Sequence, residues 1–400
     1  MKCLFAFVLF GARLTLLGAD SWDKPDPTGA GMSAEKLAAI PLRMQEFVNE
    51  GKTAGTITIV ARHGKVASFD AVGYQDLQSK TPMKRNSMFQ IMSLTKPVTC
   101  AAIMVLADEG KLSVIDPVER YLPEYKGLLV NGCSGRSGYG CDGVAPSRPI
   151  TIEDLMAHTS GMSGNVEIPP GESPSSLADL ARLGSQMRLL YDPGTHWNYS
   201  NLGYDVLGRI IEVIANQPYD LFLKERIFDP LNMKDTYFFV PATKLSRVAT
   251  VYTLTANGLK PVTKEPPPTI PRPAGGLVST AADMLRFNLM MLNKGTLGGH
   301  RVLSAAAVEL MTTSHTGDMP AGWSPGVGHG YGYEVVRDSA GMFRYNSIGS
   351  YVKGGAYRTY EWVDPQKDLA GVLMMQLTNG GGDTADEINR FLQISAAAIE

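Results

Sequence analysis

The two ends of this chain carry the same three elements in mirrored order, and that mirroring restricts the fold more than any other feature. Near the N-terminus, Ser33 is placed to cap an amphipathic stretch over residues 34–49, with Leu37, Ile40, Met44 and Phe47 at helical spacing. Pro41 inside it predicts a kink or a break, because proline lacks the amide donor and its ring meets the carbonyl four residues back. Gly51 stops the stretch. Residues 56–61 then alternate as a strand, His63-Gly64 turns, and residues 66–72 return as the partner. At the far end, residues 356–363 read as a strand and 364–367 as a turn. Residues 369–377 follow as a strongly apolar strand, and 383–399 as a helix with Ile388, Phe391, Leu392 and Ile394 inward. Helix–strand–strand answering strand–strand–helix implies one sheet made from both termini.

Helical patterns fill the middle, at residues 93–109, 151–158, 176–190, 202–216, 219–227 and 279–292. The expected organisation is an α/β lobe from residues 33–92 and 240–400, with a mainly helical lobe from 93–239 inserted in it. Residues 1–19 read as a removable secretory signal, with a membrane anchor or a disordered leader as the other readings. Lys2 gives a positive start, residues 4–10 are apolar, and Gly18-Ala19 offers a cleavage site, although Arg13 interrupts the run and Leu17 is large for its position. A secreted or periplasmic location is therefore expected. No later segment approaches the ~18 continuous apolar residues of a membrane span.

Charge and ligand counts exclude several functions. Lys+Arg number 37 against Asp+Glu 39, a net charge of -2, which provides no basic field for nucleic acid. Cys3, Cys100, Cys133 and Cys141 show no CxxC spacing, and the six histidines form no HxxxH or HExxH pair. A structural or catalytic zinc is not expected. Cys133 and Cys141 flank a Gly/Ser loop that a disulfide would close; two free thiols are the other reading. A bridge would show as a mass difference of about two protons between reduced and untreated protein, and identical masses would establish free thiols.

Three short patterns carry chemistry. Ser93-Leu94-Thr95-Lys96 sits where a helix should start, which puts the hydroxyl and the ammonium on one face near a positive helix end. An apolar pocket there lowers a lysine pKa until it accepts a proton. Tyr199-Ser200-Asn201 offers a phenol to relay a proton to a leaving group and an amide to orient the lysine or a substrate carbonyl. Lys353-Gly354-Gly355-Ala356 is read as entering the first strand of the C-terminal hairpin, with two glycines that let a ligand approach the backbone. Each alone has a plain structural reading: a helix cap with a solvated lysine, a buried tyrosine, a bend. Ser21/Lys24, Ser33/Lys36 and Ser350/Lys353 repeat the first pattern in less fitting places.

Taken in order, S-x-x-K, Y-x-N and K-x-G resemble the serine β-lactamase and penicillin-recognising family, with class C β-lactamases, D-alanyl-D-alanine carboxypeptidases and family VIII carboxylesterases closest in look. The segments 155–161 and 274–280 add to the resemblance, which spans roughly residues 33–392. It implies an α+β fold, β-lactamase/transpeptidase-like: an antiparallel sheet flanked by helices, plus a helical lobe, with the site between them. It further implies Ser93 as nucleophile, Lys96 and Tyr199 as the proton-handling pair, and the backbone N–H groups of Ser93 and Ala356 as the oxyanion hole. Asn201, Lys353, Gly354 and Gly355 would bind substrate, and no metal or organic cofactor is implied.

The expected activity is hydrolysis of a small-molecule ester or amide through an acyl-enzyme on Ser93. Gly354 stands where β-lactamases and D-Ala peptidases of this type often carry Thr, and glycine-rich third motifs look more like the esterase branch. A carboxylesterase on small acyl esters is therefore expected, with a β-lactamase or D-Ala peptidase as the alternative. An inactive binding or assembly protein of the same fold is the reading from another class. Gly322-Trp323-Ser324-Pro325-Gly326 spells the G-x-S-x-G elbow of α/β-hydrolases, but lies among prolines and glycines rather than between a strand and a helix. His158 reads as a structural hydrogen-bonding residue rather than a base.

Overall fold

Eight antiparallel strands form the sheet on which everything else is mounted. The computed structural model describes residues 22, 24–132, 142–263, 266–339, 344–378 and 385–400, so the expected leader and Cys133 with Cys141 lie outside the described residues. In chain order the strands are β1 (Gly55–Arg62), β2 (Lys65–Asp76), β3 (Thr81–Pro82), β4 (Val327–His329), β5 (Glu334–Val336), β6 (Tyr351–Gly354), β7 (Tyr360–Asp364) and β8 (Leu369–Met374). Across the sheet they run β4-β5-β6-β7-β8-β1-β2-β3. The first and last strands of the chain are thus neighbours, with Ile57 opposite Met374 and Arg62 opposite Leu369. The β1–β2 loop has both central residues at positive φ, His63 at 53° and Gly64 at 69°, as a two-residue turn matched to strand twist requires.

The helices are α1 (Ala34–Leu37), α2 (Ala39–Asn49), α3 (Thr95–Asp108), α4 (Ile152–Met156), α5 (Leu177–Ser185), α6 (Asn201–Ala215), α7 (Tyr219–Leu223), α8 (Ala281–Leu292), α9 (Ala305–Thr312) and α10 (Asp386–Ala397). Pro41 has the expected effect: its ring would meet the carbonyl of Leu37, and α1 ends at Leu37. Alternation sorts the strand residues onto two cores. Val60, Ala67, Val352, Trp362 and Leu373 pack with α1, α2 and α10. Ile57, Ile59, Phe69, Tyr351, Val372 and Met374 face the other way, toward α8 and the helices beyond it. α3 is the centre of that second core: residues 95–106 are all buried, as an apolar helix enclosed on every side must be.

One expectation fails. Residues 356–363 are not a single strand, and Lys353-Gly354 closes β6 instead of entering the hairpin. Gly355 N–H donates to Thr359 O at 2.8 Å, Arg358 N–H donates to Gly355 O at 2.9 Å, and Arg358 is left-handed (φ 59°). These bonds turn the chain over Gly355 to Thr359, and β7 begins only at Tyr360.

Every residue of β8 is buried, so its two faces must both be filled. Opposite Trp362 stands Gly371, and the indole lies across it: a Cβ there would fall 2.0 Å from the ring. The same ring meets Phe391 of α10 edge-on at 4.8 Å. Gly371→Ala should therefore cost about 1–3 kcal/mol by overpacking. Denaturant midpoints test it; an unchanged midpoint would show that the Trp362 ring has room to move.

Candidate active site

Met92–Leu94 form a 3-10 turn that runs directly into α3. Ser93 is therefore two residues ahead of the first α-helical residue, and Leu94 rather than Ser93 holds the cap position. Pro97 is the third helical residue, where an N–H would have no partner in the helix. Met92 is left-handed (φ 51°), a conformation that costs an L residue roughly 1–2 kcal/mol, and it bends the chain just before the serine. The turn after β6 is fastened to the same place: Thr359 Oγ1 donates to Ile91 O at 2.8 Å, and a Cβ on Gly355 would sit 2.5 Å from that oxygen. Only glycine permits so close an approach, and it brings the Gly355-Ala356 backbone beside the Ser93 turn.

Around Ser93 the structure gathers side chains from three distant segments. Tyr199 OH donates to Ser93 Oγ at 2.8 Å, and Lys96 Nζ lies 3.3 Å from the same oxygen. Lys96 is fully buried, with Nζ also donating to Ala274 O at 2.6 Å and Asn201 Oδ1 at 2.8 Å. Those two short bonds use two N–H groups. The remaining tetrahedral position faces Ser93, as a third N–H on the ammonium or as the lone pair of the free amine. Lys353, buried at the end of β6, places its Nζ 5.0 Å from the centre of the Tyr199 ring, while Lys96 Nζ is 4.6 Å from it.

This crowding of charge explains the titration of the site. Burial depresses the Lys96 pKa, with Tyr199 opposing and Lys353 adding to the fall. For Tyr199 burial acts upward and is the largest single effect, yet Lys353 and Lys96 together outweigh it and the phenol is held below its ordinary value. A more acidic phenol beside a less basic amine narrows the gap between them, which is what proton relay to and from a serine hydroxyl needs.

The Tyr199 loop is held by residues 158–165. Ser200 caps α6 by accepting from Gly203 N–H at 3.0 Å and donates its hydroxyl proton to Ser163 O at 2.6 Å. Asn201, the first residue of α6, receives Lys96 on Oδ1 and donates through Nδ2 to Asn165 Oδ1 at 2.9 Å. His158 Nδ1 accepts from Ser200 N–H at 3.0 Å, and burial holds the ring well below its usual pKa, so it supports the loop as a neutral imidazole. His329 packs against it at 4.9 Å and is pushed down to about 3, chiefly by burial and then by Lys353.

The competing patterns fall elsewhere. Ser33 caps α1 with its Oγ toward Lys36 N, and Lys36 Nζ binds Ala397 O. Ser350 and Lys353 are three apart along extended chain, hence on opposite faces. Ser324 lies in a turn before β4 with no helix after it. Sequence reasoning did miss several groups. Ala274 was quoted only as part of a supporting segment. Trp323, exposed and 5.3 Å from the Tyr199 ring, was read only as part of the decoy, and Trp197 lies 5.6 Å from Trp323. Asp205 and Arg272 carried no signal beyond Asp205 standing one helical turn after Asn201.

Comparisons with known proteins bear on family and fold. The family model of beta-lactamases matches residues 42–395. Protein Rv1367c of Mycobacterium tuberculosis is 36% identical over 362 residues, covering 83% of this chain and 88% of its own. Esterase EstB of Burkholderia gladioli is 33% identical over 229 residues, about half of each chain (53% and 54%). Among solved structures, EstCE1, a hydrolase with promiscuous acyltransferase activity, superposes with a TM-score of 0.76 at 26% identity, covering 92% of this chain and 99% of its own.

Arg272 fixes the carbonyl that receives Lys96. Its guanidinium grips Asp205 with two bonds, Nε to Oδ1 at 3.0 Å and an Nη to Oδ2 at 2.7 Å, two residues ahead of Ala274. Asp205 is fully buried, and burial raises its pKa against the pull of Arg272. Arg272→Met leaves that carboxylate unpaired and should cost about 3 kcal/mol at neutral pH. Without its partner the acid ionises later when folded than when unfolded, so stability falls as pH rises through the acid range and the defect shrinks toward pH 4. Urea titrations at pH 4.5 and 7.5 check both parts; equal losses at the two pH values would contradict the account.

Proposed function

The chain belongs to the beta-lactamase family of serine hydrolases, and from that premise we propose that it is a carboxylesterase acting on small acyl esters through an acyl-enzyme on Ser93. The observation that carries the reading is the Ser93 Oγ held by Tyr199 OH at 2.8 Å and faced by Lys96 Nζ at 3.3 Å, both partners with depressed pKa values. Ser93 Oγ attacks the ester carbonyl carbon, and its proton passes to the Tyr199–Lys96 pair. The oxyanion of the tetrahedral intermediate is received by the backbone N–H groups of Ser93 and Ala356. The C–O bond to the alcohol then breaks, and the alcohol leaves with the proton returned by Tyr199. Water repeats the sequence on the acyl-serine and frees the acid. Asn201 keeps Lys96 aimed at Ser93 throughout.

Substrate choice is argued from the third motif. Gly354 and Gly355 supply no hydroxyl beside Lys353 for a substrate carboxylate, which favours uncharged acyl esters. EstB is an esterase by name, and EstCE1 is a hydrolase with promiscuous acyltransferase activity; both support this branch. The buried charge of Lys353 is the feature that would favour a β-lactam or D-peptide carboxylate instead. An inactive binding protein has no physical use for the Ser93–Lys96–Tyr199 arrangement.

Hydrolysis of p-nitrophenyl acetate and butyrate should be measured beside a chromogenic cephalosporin. The expected result is ester turnover lost in Ser93→Ala and reduced roughly 10²–10⁴-fold in kcat by Tyr199→Phe, with the cephalosporin untouched. Rapid cephalosporin opening would move the protein to the β-lactamase branch, and ester turnover surviving Ser93→Ala would overturn the mechanism.

A further inference from the structure

A carboxylic acid stands directly behind the charge that faces Tyr199. Glu361 on β7 is the cross-strand partner of Lys353 on β6, so the two side chains leave the same face of the sheet side by side. Glu361 is fully buried, with Asn288 on α8 as the polar group that pulls on its carboxyl and no well-formed hydrogen bond to either oxygen among the described residues. The groups that face it are Lys353 and Tyr351 on β6, Tyr333 at the head of β5 and Asn288 on α8, with Val372 across from it on β8. Tyr333 OH is buried without a partner among the described residues, and the Asn288 amide has none beyond its pull on Glu361. Around Lys353 the sheet therefore holds a polar cluster with unused donors and acceptors, where apolar side chains would be expected to fill a core.

We propose that Glu361 is a positioning residue for the Lys353 ammonium, a buried acid whose neutral form leaves that charge directed at Tyr199 and whose ionised form draws it away. Burial pushes Glu361 up to about 8, against the opposing pull of Asn288 and Lys353, so the acid is neutral through the neutral range and ionises just above it. Below that point the Lys353 field holds the Tyr199 phenol acidic. Above it the new carboxylate 'captures' Lys353, Tyr199 loses its main electrostatic support, and catalysis falls. The sequence alone hides this, because Glu361 reads as one polar residue in an alternating strand.

The inference rests on the proposed role of Tyr199, and its test separates the two. kcat/KM for p-nitrophenyl acetate is measured from pH 6 to 10 for wild type, Glu361→Gln and Glu361→Leu. The ratio of activity at pH 9 to that at pH 7 is expected to rise roughly tenfold in either variant, about one pK unit's worth. In a Lys353→Met background, Glu361→Gln should leave the ratio unchanged, since no charge remains to be drawn away. Melting temperature supplies a second reading. Wild type should lose stability from pH 5 to 8, in part because the unfolded chain ionises Glu361 while the folded chain does not, and both variants should show a shallower slope, keeping only the share of buried acids such as Asp205 and Asp283. An unchanged activity ratio, a Gln effect that persists without Lys353, or an unchanged melting slope would each overturn the proposal. A wild type inactive at every pH would overturn the proposed function instead.

Discussion

Burying the Lys96 side chain is the constraint on which the active-site half of this structure depends. An ammonium removed from water is expensive unless every N–H is met, so three segments must converge on one nitrogen. α3 carries the lysine, α6 delivers the Asn201 carboxamide, and the 272–274 segment delivers the Ala274 carbonyl. The Arg272–Asp205 fork ties the second of these to the third. Residues 158–165 then hold the start of α6, through the Ser163 and Gly164 carbonyls and the neutral His158 ring. Ser93 receives its geometry from this convergence, and the bend at Met92 turns it into place.

A second theme is that the charges here act at a distance as well as by contact. Lys353 acts on Tyr199, His158, His329 and Lys96 together. In a water-excluded cleft one ammonium sets the protonation of a whole wall of aromatic and imidazole rings. The cross-strand acid behind it gives that field a control of its own. Trp323 and Trp197 complete the wall on the open side and add apolar surface beside the reacting atoms.

Much of the fold was legible because its signals are local and strongly periodic. The mirrored terminal elements, the Pro41 break and the His63-Gly64 turn follow from spacing and backbone chemistry alone. The stretch after Lys353 resembles a strand because Tyr357, Thr359 and Tyr360 suit one, while the Gly355–Thr359 turn bonds that decide the outcome leave no mark in composition. Ser93 sits a residue before the helix cap because a 3-10 turn precedes α3, and nothing in its composition separates that turn from a helix start. At the site, Ser93, Lys96, Tyr199, Asn201 and Lys353 are brought together as their ordered motifs suggest. Ala274, Asp205 and Arg272 stayed hidden, since a backbone carbonyl has no residue type and a buried ion pair has no fixed spacing. Glu361 needed strand register before it meant anything.

The adjacency of β1 and β8 has a consequence for the order of events during synthesis. Ile57 finds its partner in Met374, so the first long strand emerges from the ribosome with one edge open for most of translation. Helical segments of the middle can form early from near neighbours, whereas the central strand pair must wait for almost the whole chain and close a very long loop. The turn that abuts Ser93 belongs to those late-arriving residues, at Gly355 and Thr359. The turn beside Ser93 is therefore completed in the final step of assembly, and a truncated or stalled chain presents an exposed strand.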